Sequence, residues 1–115
     1  MKQDEVLTQF REAGALLEGH FILTSGLHSP IYLQCARVMM DTTRASVLCS
    51  ALVKKLYFEL GEIEVDWIVS PALGGVIVGY EVGRHMAVPA IFAERVEGRF
   101  IFRRGFSIKS DERVI

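Results

Sequence analysis

"DWIVSPALGGVIVGYEVGRHMAVPAIF", residues 66–92, is the stretch whose reading decides the fold. Trp67-Ile68-Val69 is a continuous apolar run, as expected of a strand covered on both faces. A second apolar run, Pro89-Ala90-Ile91-Phe92, returns after a segment long enough for the crossover that parallel strands require. Within that segment Val76-Ile77-Val78 is β-branched and suits a strand by propensity alone. The length argues for a helix, and the reading places it from Gly74 to about His85. Ligands of such strand–helix–strand units bind beyond the C-terminal ends of the strands. The loop after Val69, Ser70-Pro71-Ala72-Leu73-Gly74-Gly75, lies at such an end and carries no charge.

A loop that feeds a helix presents unpaired N–H groups, and the helix dipole adds partial positive charge there. Small residues let an anion approach the backbone, and Gly74 and Gly75 permit angles that other residues avoid. The spacing matches neither the dinucleotide fingerprint nor the P-loop. By itself the loop reads equally as an anion cradle and as a short tight turn.

Outward from this unit, residues 4–13 fit a short helix capped by Asp4, with Val6, Phe10, Ala13 and Leu17 at helical spacing and Gly14 as a stop. Residues 20–35 read as two strands, Phe21-Ile22-Leu23 and Ile31-Tyr32-Leu33. Ser25-Gly26 begins the turn between them and Pro30 ends it. Asp41-Thr42-Thr43 offers N-caps for a long helix with a Leu48, Leu52, Leu56, Leu60 stripe and Gly61 at its end. Residues 99–108 alternate Phe100, Phe102, Phe106 and Ile108, as in a hairpin or a long twisted strand. The order predicts one α/β domain, with a Rossmann-like, mostly parallel sheet over 41–115 and a small N-terminal helix-plus-hairpin annex over 1–40. Arg113-Val114-Ile115 begins another apolar strand, so the chain is expected to be part of a longer protein. An unpaired sheet edge is then expected along Trp67 to Val69.

The composition, 50% hydrophobic and 23% charged, suffices for a packed core and excludes a disordered chain. No apolar run approaches the roughly 18 residues of a membrane span. Met1-Lys2-Gln3-Asp4-Glu5 leads into no apolar signal region, so the expected location is the cytoplasm. Cys35 and Cys49 are too few for a zinc or redox motif and are expected to be free, buried thiols. The net charge of −1 hides an asymmetry: acidic residues dominate up to Asp66, whereas Arg95, Arg99, Arg103, Arg104 and Lys109 face only Glu97 across 95–109. A local positive field on a near-neutral chain suits a small anion better than nucleic acid, and a solvated hairpin face is the plain alternative.

Two further segments carry chemistry. In "TSGLHSPIY", residues 24–32, Thr24, Ser25 and Ser29 supply hydroxyls, Gly26 a backbone amide and Tyr32 a ring, a set suited to a flat polar heterocycle. A Ser/Gly/Pro-rich hairpin turn accounts for the same residues. In "AERVEGRFIFRRGF", residues 93–106, Arg95, Arg103 and Arg104 can clamp phosphates, and Glu94-Arg95 is read as following a strand. His20 and His28 read as surface residues and His85 as a helix-end residue. No nucleophilic triad or metal-ligand cluster is present.

These segments, in this order, resemble the orotate phosphoribosyltransferase family of type I phosphoribosyltransferases. "GALLEGHFILTSGLHSPIY" resembles its orotate-side segment, "VSPALGGVIVGYEVGR" its pyrophosphate loop, and "PAIFAERVEGRFIFRRGF" the region before its active-site motif. The resemblance implies a homodimeric glycosyltransferase of pyrimidine biosynthesis. Such an enzyme converts orotate and phosphoribosyl pyrophosphate, with Mg²⁺ bound through the latter, to orotidine 5′-monophosphate and pyrophosphate. It implies that Pro71, Ala72, Leu73, Gly74 and Gly75 hold pyrophosphate, with Arg103 and Arg104. It implies that Arg95 is catalytic, neutralising charge on the leaving group, and that Ser25, Gly26 and Tyr32 seat orotate. It also implies an unusual backbone at Ala72-Leu73, a cis peptide being one form. The chain departs from the family where many members have Lys at the position of Thr24 and some at that of Gly74. A compact 96–106 segment replaces the longer mobile loop of some members, and the acidic, Thr/Gly-rich motif for ribose 5-phosphate is expected just after Ile115. The alternative is a non-catalytic regulator of the same fold that binds a nucleotide or pyrophosphate.

Overall fold

The computed structural model describes residues 1–115, which divide into two units, Met1–Ala45 and Ser46–Ile115. The first unit opens with α1 (Gln3–Glu12). Its start lies earlier than expected: Lys2 is the cap residue and donates its backbone N–H to the Glu5 carboxylate at 2.5 Å, while Asp4 lies within the first turn. Gly14, at φ 63°, ends the helix as anticipated. Leu17, expected on the helix, instead belongs to β1 (Leu16–Ile22), which pairs antiparallel with β2 (His28–Leu33). The gain is a pairing of Leu16 and Leu17 with Leu33 and Tyr32. Pro30, expected to end the turn, sits inside β2 opposite the register shift between Glu18 and Phe21. A bulge is where a strand tolerates a residue without an N–H. The short helix α2 (Cys35–Met39), with no capping or periodic signal, buries Val38 and Met39.

The long helix α3 (Thr42–Leu60) begins at the predicted place. Asp41 accepts the Arg44 backbone N–H at 3.0 Å, and that bond holds the Asp41 carboxyl below its usual range. Arg44 Nη1 reaches back to the Gln9 backbone and side-chain oxygens, each at 2.8 Å. The buried line on α3 is Ala45, Cys49 and Val53, while Leu52 and Leu60 are exposed. The leucine stripe is therefore turned from the covered face by about 60°. Cys49 is buried as expected, with its thiol pushed up by burial and then by Glu81; Cys35 is exposed, and both are free.

In the second unit β3 (Ile68–Pro71), α4 (Val76–Met86) and β4 (Ala90–Val96) form the predicted parallel crossover, with Ile68 opposite Ala90 and Ser70 opposite Phe92. The β-branched run is helical because only a helix spans this crossover and covers the sheet. β4 extends past Phe92, so Glu94 and Arg95 lie inside the strand rather than after it. Its extension pairs antiparallel with β5 (Arg99–Ile101) through a two-residue Glu97-Gly98 turn, both residues at positive φ. The predicted β segment 99–108 is therefore a three-residue strand followed by a bend. β3 is central, because Trp67 bridges Val114 in parallel, the Val69 N–H reaches the Ile115 carbonyl at 2.8 Å and the Ile115 N–H reaches the Trp67 carbonyl at 3.1 Å. The expected unpaired edge at Trp67 to Val69 is thus occupied by the chain's own residues 113–115. Glu112 tethers that segment by accepting the Trp67 indole N–H at 2.6 Å, and Asp66 by accepting the Arg113 N–H at 2.8 Å.

α4 lies close against the sheet because its inner line is Gly75, Gly79 and Gly83. A Cβ on Gly79 would collide with the Ser70 hydroxyl and lie 2.8 Å from Ser70 Cβ; one on Gly83 would lie 2.9 Å from the Val88 carbonyl. Gly79→Ala is expected to destabilise the protein by about 1–3 kcal/mol through overpacking. Thermal unfolding checks this, and Ser70→Gly in the Gly79→Ala background should restore part of the loss.

Candidate functional site: the loop from β3 to α4 and the arginine-bearing bend

The loop 71–75 uses some of its own amides. Ala72 N–H pairs with the Ala93 carbonyl at 2.8 Å, Gly75 with Pro71 at 2.9 Å and Val76 with Leu73 at 3.2 Å. Leu73, Gly74, Ile77 and Val78 have no backbone acceptor for their N–H groups. The bare donors are therefore only partly those of the expected loop, and two of them belong to the first turn of α4. They lie where the helix dipole is positive. The Ala72–Leu73 peptide is cis, one form of the unusual backbone expected there.

The two glycines of this loop have different physical reasons. A Cβ on Gly75 would stand 2.6 Å from the Pro71 carbonyl, so the turn itself excludes a side chain there. A Cβ on Gly74 would meet nothing within 4 Å. The fold does not require glycine at 74, and its bareness leaves room over the free amides. Gly75→Ala is expected to lower the melting temperature by several degrees, while Gly74→Ala leaves it within about 2 °C. The same Gly74→Ala change should weaken binding of inorganic pyrophosphate, measured by titration calorimetry.

The arginines divide between the two faces of the sheet. Residues paired across a ladder share a face, and successive residues alternate. Ser70 and Ala90 meet α4, so Phe92 and Glu94 lie on the α4 side, and Arg95 with its partner Phe100 lies on the other. Arg95 Cζ stands 4.9 Å from the centre of the Phe100 ring, a cation–π contact. Arg104 lies on the α4 side: its Nε is 3.3 Å from Glu94 Oε2 and its Cζ is 5.8 Å from the centre of the Phe92 ring. Phe106 packs edge-on against Phe92 at 5.3 Å. The bend is closed by the Phe106 N–H on the Arg103 carbonyl at 3.0 Å. The three candidate arginines thus do not form one cluster.

A polar group holds the C-terminal half of α4. Arg84 pairs with Glu81, Arg84 Nη2 reaches Ser46 Oγ at 3.1 Å, and His85 Nε2 lies 3.2 Å from Glu81. Arg84 holds the Glu81 carboxyl below its usual range, chiefly by hydrogen bonding. Ser46, Glu81 and His85 meet at one ring nitrogen, so this is not a nucleophilic triad, which needs both. None of these residues except His85 was singled out from the sequence, because α3 and α4 are distant along it.

In the first unit, the turn carrying Ser25 and Gly26 lies between β1 and β2. Gly26, expected to offer a free amide, instead donates it to the Leu23 carbonyl at 2.8 Å, and its φ of 84° is the reason for glycine there. Ser25 Oγ accepts the Leu27 N–H weakly, at 3.4 Å. Ser29 is occupied locally, accepting from the Ile31 N–H and donating to the Ile31 carbonyl. The Tyr32 ring is partly exposed and lies against Phe21 at 5.6 Å. His20 and His28 are exposed and share a 2.6 Å hydrogen bond across the hairpin.

No set of three or more His, Cys, Asp or Glu side chains converges on a metal position, and no helix is long and apolar enough to cross a membrane. No family model matches the chain. It is 55% identical over all 115 residues to the orotate phosphoribosyltransferase of Sphingopyxis alaskensis and 52% identical to that of Parvibaculum lavamentivorans. It spans 58% and 59% of those relatives' lengths. In structure it resembles Leishmania donovani UMP synthase, with a TM-score of 0.70 at 21% identity over 96% of this chain and 23% of that one. It also resembles orotate phosphoribosyltransferase from Aeropyrum pernix, with a TM-score of 0.63 at 20% identity over 83% of this chain and 55% of that one. At such identities these two likenesses concern the fold, which is that of the type I phosphoribosyltransferases.

Proposed function

We propose that this chain, a relative of the orotate phosphoribosyltransferases along its whole length, carries part of the machinery that transfers phosphoribose to orotate. The observation that carries the reading is the 50–55% identity to several proteins of that name across every residue of the chain. The reaction takes phosphoribosyl pyrophosphate, entering as its Mg²⁺ complex, and orotate. It yields orotidine 5′-monophosphate and pyrophosphate, in a cytoplasmic homodimer. Exposed Leu73, Ile77 and Tyr80 near the start of α4 are compatible with a covered face.

The physical demand of this chemistry is charge. As the ribosyl carbon becomes cation-like, negative charge accumulates on the departing pyrophosphate. The amides of Leu73, Gly74, Ile77 and Val78 offer donors that need no reorganisation, which is the most effective way to stabilise a developing anion. Pro71, Ala72 and Gly75 shape the loop that holds those donors. Arg103 and Arg104 are assigned to the same pyrophosphate as cations, as the family resemblance implies. Arg95, stiffened by Phe100 on the face of β4 away from α4, is assigned the leaving-group charge on the family resemblance alone. Ser25 and Tyr32 are assigned to orotate, by hydrogen bond and by stacking, with Gly26 shaping their turn. No covalent intermediate is needed; positioning and electrostatics suffice.

Orotate consumption in the presence of phosphoribosyl pyrophosphate and Mg²⁺, followed for this chain and for a chain extended to the relatives' length, tests the proposal. Turnover by the extended protein is expected. An extended protein that binds phosphoribosyl pyrophosphate but leaves orotate unchanged would establish the non-catalytic regulator instead. In the extended enzyme, Arg95→Ala is expected to lower kcat by about 10²-fold with little change in the KM for orotate. An unchanged kcat with a raised KM for orotate would remove Arg95 from the leaving group.

A further inference from the structure

Arg104 occupies a backbone position that disfavours it. It is the first of two central residues in the Arg103–Phe106 turn, with φ of 59°, and Gly105 follows at 76°. Paired positive angles of this kind belong to turns dominated by Gly, Asn and Asp. Glu97, at φ 50° before Gly98, takes the same position in its own turn, so what distinguishes Arg104 is how its guanidinium is held. That group is well exposed, yet it is held: Glu94 pairs with it through both Nε, at 3.3 Å, and Nη2, at 3.4 Å, and Phe92 lies beneath it. Glu94 is the more enclosed partner, with 21% of its side chain exposed against 62% for Arg104. The anchor is therefore the carboxylate and the movable member is the cation. Glu94 shares the face of β4 that meets α4.

We propose that Glu94 and Arg104 form a latch, in which the carboxylate parks the guanidinium in the empty protein and pyrophosphate takes it over on binding. This deepens the phosphoribosyltransferase reading and rests on its assignment of pyrophosphate to this end of the sheet. An exposed ion pair contributes little to stability, so exchange of one carboxylate for a multiply charged, bidentate acceptor is downhill. The latch keeps the site from presenting an unpaired cation to every passing anion, at the expense of some affinity for the right one.

Calorimetric titration of inorganic pyrophosphate into the 115-residue chain reads this directly. Glu94→Gln and Glu94→Asp should each tighten binding roughly two- to fivefold, because neither keeps the two-point pairing. Arg104→Ala should weaken binding about tenfold and abolish the gain from either Glu94 change. Arg104 is exposed and Glu94 half-buried, and matching melting temperatures would show that the variants fold. A gain from Gln alone would indicate simple charge repulsion and overturn the latch. So would unchanged or weaker binding in the Glu94 variants, or a gain that persists without Arg104. Failure of wild type and all variants to bind pyrophosphate would overturn the reading of the anion site itself.

Discussion

The approach of α4 to β3 governs the geometry at the C-terminal end of the sheet. Gly79 lies so near Ser70 that no side chain fits between them, and Gly75 lies equally near Pro71. This closeness brings the first turn of α4 directly over the end of β3. The turn that joins them then has no length to spare, and free amides remain both in it and in the first turn of α4. A helix standing off by the width of a methyl group would need a longer loop and would spread those donors. Close backbone approach is what lets an uncharged loop present its amides without a side chain in the way.

The sheet that supports this contact is narrow and mixed. β3 and β4 are parallel, β5 adds an antiparallel hairpin, and residues 113–115 run along the far side of β3. β3 therefore has β4 on one side, along Ile68–Pro71, and residues 113–115 on the other, bonded at Trp67 and Val69. The carboxylates of Asp66 and Glu112 fix the register of that last pairing through N–H donors. Charge here is used locally, to hold backbone segments, and the acidic residues concerned are not available to a ligand. The same economy appears at Arg44, whose guanidinium ties the first turn of α3 to the end of α1.

Basic residues at the other edge follow a different logic. Arg95 rests on Phe100 and Arg104 on Phe92, on opposite faces of one strand. Aromatic support stiffens a guanidinium without neutralising it. Arg104 has an acidic partner in addition, and it stands at a backbone angle that costs energy for any residue with a Cβ.

The crossover was legible in the sequence because its signals are local: an apolar run, a spacing that only a helix fills, and a second apolar run. The start of α3 was legible too, since Asp41 caps through a bond within its own turn. Other features were set by pairing between distant segments. Leu17 joined a strand because Tyr32 lay opposite, β4 ran on to Val96 because β5 completed its ladder, and residues 113–115 filled the edge of β3. The covered face of α3 followed Ala45, Cys49 and Val53, since burial is decided by the neighbour and not by the helix alone. For the candidate site residues the sequence shows the chemical groups but not their hydrogen bonds: Gly26 spends its amide in its own turn, while Ile77 and Val78 keep theirs. Sequence determined which donors and charges the chain possesses. Only the tertiary structure decided which of them are already spent, because a backbone amide is free or paired according to what folds beside it.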